Sequence, residues 1–363
     1  MFRVRLGVVG CGMIAQLVHL PYLTALRDRF EVVALCDQSF DLAQAVAERF
    51  HVPKAYVSME DMLAKSPELD AIVVLTLDHV GPVLAALERG KHVFTEKPLG
   101  YTLAEAEKVA VTAVRTGRKV MVGYMKRYDS GVRRGLQEIA QIFRPVMARI
   151  HLVVGPEYGN WIIPEVGTIT RSQDPGHAVR DVRRSRVAQE FGTAPPEVLE
   201  AYMDMFGVWS HDVNVYRAAF PAAPTSVKAH CSPDGKTLTA SLQYADGFQC
   251  VFQGSSTSVH RFEESLTVWG SDRTVMVDIS NPFLPNTPST VRIWRDEVVG
   301  GTGRGAASEE ILRGSHEEAF KAQLVHFYQC VTSPESQPLT DAQEALMDTR
   351  LMIDIVRAAV QRS

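Results

Sequence analysis

The stretch VRLGVVGCGMIA, residues 4–15, decides the fold that we predict for this chain. Its first half is almost entirely apolar, as in a strand buried on both faces, and an amphipathic helix pattern follows through about Asp28. Gly10, Gly12 and Ala15 occupy the small positions of a G-x-G-x-x-G/A turn between strand and helix. Gly10 permits the tight turn, Gly12 lets the backbone approach a pyrophosphate, and Ala15 allows close helix packing. The stretch therefore predicts a dinucleotide-binding unit.

The residues after the turn extend this prediction. A pyrophosphate would sit on the positive end of the helix, at Met13 and Ile14. The next strand pattern ends at Cys36, and Asp37 follows as the acid expected to bind a ribose 2′-hydroxyl and to repel a 2′-phosphate. No arginine follows at once, which favours NAD as the cofactor over NADP. A second interpretation stays open, in which Asp37 and Ser39 only cap the next helix.

The first third of the chain alternates between two periodicities. Helix patterns span 41–50, 59–65, 80–89 and 103–116, and strand patterns span 71–75, 92–95 and 120–123. Such alternation predicts the α/β class, with a doubly wound parallel sheet of the Rossmann type.

A second informative stretch is VFTEKPLG, residues 93–100, in which a strand pattern ends in an acid, a base and a proline. Ligands bind outside the carboxyl ends of strands in open α/β sheets, and Pro98 disfavours helical geometry for the preceding residue. We expect Glu96 and Lys97 to face opposite ways, with Lys97 delivered into a cleft. An ordinary strand-end turn with a solvated lysine is the alternative.

Two further candidates follow the strand pattern at 71–75. Thr76 and His79 are predicted at the same sheet edge, where they join Glu96 and Lys97 as candidate cofactor contacts. A helix cap explains Thr76 equally well. The glycine-rich stretch at 300–305 looks like another phosphate loop, but no helix pattern follows it, so we predict a surface loop.

Composition narrows the function classes. A chain of 363 residues is long for one core and favours two domains. The net charge of −4, with 46% hydrophobic and 22% charged residues, indicates neither a nucleic-acid nor a membrane partner. Five scattered cysteines without metal spacing predict reduced thiols and no metal site. The first residues run directly into a strand pattern without signal-peptide features, so we expect a cytoplasmic protein.

These landmarks resemble the glucose-fructose oxidoreductase, inositol dehydrogenase and rhizopine catabolism (Gfo/Idh/MocA) family. The resemblance rests on the glycine turn, on Glu96-Lys97-Pro98, on the stretch GYMKRY at 123–128 and on a later histidine helix. It implies NAD(P)-dependent oxidation or reduction of a secondary alcohol on a sugar, cyclitol or related ring. It also implies a Rossmann domain at 1–124 and a substrate domain at 125–363, which has a large, mostly antiparallel open sheet and serves a homo-oligomer, a dimer or tetramer.

The second half of the chain shows period-two alternation from Thr225 onward, with a hairpin turn at 245–247 and a second strand pair meeting at 271–272. We predict an antiparallel sheet there. Earlier, a strand at 146–154 precedes a long irregular segment, 155–194.

Candidate substrate contacts come from three places. In similar proteins the stretch with Arg127 and Tyr128 lines the cleft beside the nicotinamide, although packing between domains is an equal alternative. Trp161 could stack on a sugar ring. The arginines in 180–186 could clamp an acidic substrate, but a solvated or subunit-facing surface is the favoured interpretation.

His211 and Asn214 lie three apart, so they share one face of a predicted helix. Similar proteins commonly have His-x-x-Asp there and an aspartate four residues before the histidine, where this chain has Asn214 and Gly207. Because histidine titrates near ~6.5 and lysine near ~10.4, His211 is the simpler base and Lys97 a donor to the substrate oxygen. Asn214 would orient the imidazole or bind a substrate hydroxyl.

Two other functions remain open at this point. One is a redox-neutral enzyme that keeps NAD bound and cleaves or eliminates a glycoside by transient oxidation, which the unusual histidine helix and the long segment suggest. The other is a non-catalytic nucleotide-binding sensor, which the missing carboxylates suggest.

Overall fold

The computed structural model describes residues 2–155, 167–173, 183–284, 286–298 and 305–360. The chain forms two compact units. The first comprises Met1–Tyr124, Pro164–Glu190 and Phe320–Thr349; the second comprises Met125–Ile163, Phe191–Ala319 and Arg350–Ser363. A division at residue 124 alone leaves two later segments of the first unit out.

The first unit is built on a parallel sheet of six strands in the order β3-β2-β1-β4-β5-β6. The strands are β1 Val4–Val9, β2 Phe30–Cys36, β3 Lys54–Tyr56, β4 Ala71–Val74, β5 His92–Thr95 and β6 Val120–Val122. The helices between them are Leu20–Ala25, Phe40–Phe50, Met59–Lys65, Val80–Glu88 and Leu103–Thr116. The predicted doubly wound parallel sheet is confirmed.

Local sequence explains where most of these helices begin. Ser39, Ser58 and Thr102 each accept a hydrogen bond from a backbone N–H of the helix's first turn. The helix after the glycine turn differs from the prediction. It is α-helical at Met13 and Ile14, continues as a π-helical turn at Ala15–His19 and ends at Ala25, three residues before the expected end.

The later segment Phe320–Thr349 completes the core of the first unit. The Thr340 hydroxyl donates to the Val122 carbonyl at 2.6 Å, and the Phe327 ring lies edge-on to Phe94 with 5.7 Å between centroids. Leu346 packs into the same apolar cluster as the sheet. The sheet therefore depends on residues far beyond position 124.

The second unit is built on a sheet of eight strands in the order β14-β13-β12-β11-β7-β10-β9-β8. The strands are β7 Pro145–Val154, β8 Ser226–Cys231, β9 Thr237–Gln243, β10 Gln249–Ser256, β11 Phe262–Gly270, β12 Arg273–Asp278, β13 Thr290–Val298 and β14 Gly305–Arg313. Among the described residues, further α-helices are Ser130–Ile139, Arg183–Phe191, Pro196–Asp204, Ser210–Ala219, Ala319–Thr332 and Ala342–Val360. Every neighbouring pair is antiparallel except β7 and β10, so the mostly antiparallel sheet is confirmed.

Two predictions for the second half need correction. The segment 155–194 is not irregular throughout, because Arg183–Phe191 is a helix. Strands β13 and β14 were not predicted. The glycine-rich stretch predicted as a surface loop lies outside the described residues up to position 304. In the described part of the chain, no helix is long and apolar enough to span a membrane.

Candidate functional site

The glycine turn has the geometry that a dinucleotide needs. Gly10 has a φ of 97°, and a Cβ atom there would lie 2.8 Å from the Leu75 carbonyl carbon. A Cβ atom on Gly12 would meet no atom within 4 Å, so the space above the first helical turn is open. The first N–H groups of a helix have no partner within the helix, and they favour a bound anion. The open turn at the start of this helix therefore suits the pyrophosphate of an NAD-type group.

Asp37 connects the turn to the end of β2. One carboxylate oxygen accepts the Cys11 N–H at 2.8 Å, and the other accepts the Ser39 N–H at 3.0 Å. The helix cap belongs to Ser39, whose hydroxyl accepts the Leu42 N–H. A carboxylate offers about four acceptor positions, so Asp37 retains capacity for ribose hydroxyls.

Glu96 is held by a histidine that the sequence analysis did not single out. His19 Nε2 lies 2.8 Å from Glu96 Oε1, and His19 is fully buried between the Phe94 and Phe320 rings. Burial raises the pKa of Glu96, but the hydrogen bond and charge of His19, with smaller effects of Lys97 and His79, outweigh it, so the pKa lies below its usual value.

Lys97 follows β5 at the carboxyl edge of the sheet, the edge that also carries Gly10 after β1 and Asp37 after β2. Its backbone N–H donates to Glu96 Oε2 at 3.2 Å, and the Lys97–Pro98 peptide bond is cis. Because all the strands are parallel, these residues share the edge at which ligands bind in such sheets.

The two residues predicted after β4 have different surroundings. The Thr76 hydroxyl donates to the Asp78 carbonyl at 2.7 Å within its own turn. His79 is buried at the start of the helix Val80–Glu88, and burial lowers its pKa to about 4, against the opposing charge of Glu96. His79 is therefore neutral at physiological pH.

In the second unit, the helix Ser210–Ala219 carries the other catalytic candidate. His211 and Asn214 lie on one face and are 8% and 1% exposed, respectively. Asp212 points elsewhere, towards Lys126, whose Nζ lies 3.4 Å away and also contacts the Glu264 carboxylate.

We call these three residues, Lys126, Asp212 and Glu264, the buried charge cluster. Burial lowers the pKa of Lys126, but the two carboxylates outweigh it and the pKa is raised. Burial also raises the pKa of Asp212, although Lys126 opposes this. Burial thus favours a bound proton on Asp212, whose neighbour Lys126 also contacts Glu264.

The buried charge cluster fixes the backbone of two predicted substrate contacts. Arg127 and Tyr128 follow Lys126 in the 3-10 turn Met125–Tyr128, and Tyr128 is buried. Trp161 lies outside the described residues. Arg186 pairs with Glu105 at 2.9 Å inside the first unit. No group of three metal-binding side chains occurs in the described ranges.

Residues 4–124 match the family described as "Oxidoreductase family, NAD-binding Rossmann fold". An inositol 2-dehydrogenase/D-chiro-inositol 3-dehydrogenase from Lacticaseibacillus casei is 35% identical over 133 residues, which is 36% of this chain and 38% of that protein. An uncharacterized oxidoreductase from Rhizobium meliloti is 25% identical over 371 residues and covers 99% of this chain and 97% of its own length. The match to the inositol dehydrogenase thus spans less than half of that relative.

Solved structures share the fold over the whole chain. A UDP-N-acetylglucosamine 3-dehydrogenase from Acidithiobacillus ferrooxidans superposes with a TM-score of 0.74 at 18% identity, covering 100% of both chains. An aldose-aldose oxidoreductase from Caulobacter crescentus gives 0.73 at 19% identity, covering 100% of this chain and 99% of its own. Residues 4–124 therefore carry the NAD-binding Rossmann fold of the Gfo/Idh/MocA family of oxidoreductases, and the likeness of the remaining residues to the solved structures is one of fold.

Proposed function

We propose that this protein is an NAD-dependent dehydrogenase that moves a hydride between a secondary alcohol of a sugar, cyclitol or related ring and the nicotinamide. One observation carries the proposal: Lys97 stands on the sheet edge that also holds the open glycine turn and Asp37. A positive group at that edge is suited to an oxygen that develops negative charge. The inositol dehydrogenase relative supports the substrate class.

The predicted site residues have separate roles in proton transfer and in substrate binding. Lys97 donates a hydrogen bond to the alcohol oxygen, and His211 takes the hydroxyl proton during oxidation. Asn214 orients the imidazole or binds a neighbouring hydroxyl, while Arg127, Tyr128 and, outside the described residues, Trp161 bind the ring. When bound, NAD accepts the hydride.

The cofactor is held by residues of the first unit. Gly10, Gly12, Met13 and Ile14 cradle the pyrophosphate, and Asp37 binds the adenosine ribose. Thr76, His79 and Glu96 line the nicotinamide end beside Lys97. NADP is the less favoured cofactor because a 2′-phosphate would meet the Asp37 carboxylate.

The test is turnover on a panel of inositols, free sugars, glucosides and nucleotide sugars with NAD, followed by absorbance of the reduced nicotinamide. We expect oxidation of at least one ring alcohol, and a loss of kcat by at least about a hundredfold in Lys97→Met, since a preorganised donor is worth that much. Lys65→Met removes an exposed lysine whose contact is Asp61 and serves as the matched control.

Binding of NAD without turnover of any alcohol would contradict the proposal. Cleavage of a nitrophenyl glycoside without net reduction of NAD would replace it with the redox-neutral alternative.

A further inference from the structure

The segment Gly167–Gln173, which we call the strap, belongs to the first unit although it follows the six strands of that unit in the sequence. It packs against the residues around the glycine turn. The backbone of Thr170 pairs with the side chain of Gln16. Its N–H donates to Gln16 Oε1 at 2.8 Å, and its carbonyl accepts from Gln16 Nε2 at 2.9 Å. Gln16 Nε2 also donates to the Cys11 carbonyl at 2.8 Å. The strap is therefore attached to the glycine turn itself.

The Gln16 side chain binds the strap through its amide group. It is 1% exposed, and because glutamine is rarely buried without partners, its side-chain amide needs hydrogen bonds inside the protein. Its amide nitrogen donates both to the turn and to the strap, and its oxygen accepts from the strap and from Arg49. Arg49 reaches the Thr168 carbonyl at 3.3 Å as well. These contacts hold one end of the strap.

The other end of the strap docks beside the ribose-binding carboxylate. Ser39 Oγ lies 2.7 Å from Ser172 Oγ, and the Gln173 N–H donates to Asp41 Oδ2 at 2.6 Å. Ser39 also contacts the Asp41 carboxylate directly. Hydrogen bonds from Ser39 and Gln173 lower the pKa of Asp41 to about 2, so this carboxylate stays ionised.

Ser39 joins two carboxylates. Its N–H binds Asp37 Oδ1 and its hydroxyl contacts Asp41. Both negative charges consequently lie beside one serine, at the carboxyl end of β2, where the ribose 2′ position is expected.

We propose that the strap makes the adenosine end of the dinucleotide site selective, by fixing Asp41 as a second carboxylate that rejects a 2′-phosphate. This inference rests on the proposed function, since it assumes that the glycine turn binds NAD. A 2′-hydroxyl can donate to a carboxylate, whereas a 2′-phosphate brings about two negative charges towards two that are already there. The preference for NAD over NADP thus depends on Asp37 at the end of β2 and also on Asp41, which is held by the strap more than a hundred positions later in the sequence.

The strap also supplies a cation, Arg171, which is exposed between its two docking points. If Arg171 instead paired with a 2′-phosphate, the strap would favour NADP. The Asp41 and Arg171 hypotheses predict opposite results, so the same titration separates them.

The experiment measures the Kd values of NAD and of NADP for the full-length protein by calorimetry, in wild type, Asp41→Asn and Ser172→Ala. We expect the ratio of the NADP Kd to the NAD Kd to fall roughly tenfold in Asp41→Asn, because a close like charge near a protein surface contributes at least that much. Ser172→Ala should lower the ratio less. Asp61→Asn, at an exposed helical acid, should leave it unchanged and serves as the control.

An unchanged ratio in Asp41→Asn and in a second variant, Asp41→Ser, overturns the inference. A weaker affinity for NADP in Arg171→Ala, with the affinity for NAD unaffected, overturns it in favour of phosphate capture by the strap. If wild type binds neither dinucleotide, this inference and the proposed function both fail. If it binds NAD but turns over no alcohol, only the proposed function fails, because the affinity ratio does not depend on catalysis.

Discussion

The two units bury charge in different ways. In the first, the Glu96 carboxylate faces the His19 imidazole, so one acceptor meets one donor. In the second, Lys126 faces both Asp212 and Glu264. The first contact joins one carboxylate to one imidazole, while in the second two buried carboxylates share the Lys126 ammonium group. Burial raises the pKa of Asp212 although Lys126 opposes it, whereas the pKa of Glu96 is lowered, so the second unit favours a proton on its carboxylate and the first favours an ionised one.

The variant with the largest expected loss of stability is Lys126→Met, which removes the cation that Asp212 and Glu264 share. We expect a loss of about 3–5 kcal/mol in the free energy of unfolding, measured by urea denaturation at neutral pH. Lys108→Met, at an exposed position of the helix Leu103–Thr116, is the matched control and should change stability little. Wild-type stability in Lys126→Met would show that the cluster adds nothing.

A smaller effect is expected from His19→Leu, which removes the partner of Glu96. Leaving one buried acceptor unsatisfied costs about 1–3 kcal/mol. His19→Gln retains a donor at this position and should recover part of the loss. Equal denaturation midpoints for the leucine and glutamine variants would mean that shape, rather than the hydrogen bond, makes His19 important.

The smallest effect at neutral pH is expected from Asp212→Asn, because Lys126 keeps its contact with the Glu264 carboxylate. The free energy of unfolding should change by less than about 1 kcal/mol. Its pH dependence is more informative. The folded protein raises the pKa of Asp212, so it binds more protons there than the unfolded chain, and this contribution to stability falls as pH rises above the usual aspartate value of 3.8.

The first unit should show the opposite sign. The folded state lowers the pKa of Glu96, so its contribution is present above the usual glutamate value of 4.5 and is lost as pH falls below it. Urea midpoints across acid and neutral pH, for wild type, Asp212→Asn and His19→Leu, would resolve both trends. Parallel pH curves for all three proteins would contradict the comparison.

The sequence predicted those features that depend on neighbouring residues. The glycine turn, the alternation of strands and helices and the strand end at Lys97 all follow from local periodicity and turn chemistry, and the structure shows each of these elements. The roles of Lys97 and His211 remain predictions.

The features that the sequence did not predict depend on distant pairs. Glu264 lies 138 positions from Lys126, and Thr170 lies 154 positions from Gln16. One signal was present: His19 and Gln16 are polar residues on the inner face of the first helix, and buried polar groups need partners. The sequence shows that both residues are polar and so need hydrogen-bond partners. It does not show which residues these partners are, because periodicity carries no information about long-range contacts.

The segment Phe320–Thr349, which completes the first unit, has a consequence for synthesis. The Tyr328 hydroxyl donates to the Phe2 carbonyl at 2.7 Å, so a residue just before β1 meets one that the ribosome adds 326 positions later. The first unit consequently reaches its final packing only after the segment Phe320–Thr349 has been synthesised. Until then, the Phe94 side of its sheet lacks an aromatic cover, and a nascent chain in this state is a natural client for a chaperone that binds apolar surfaces.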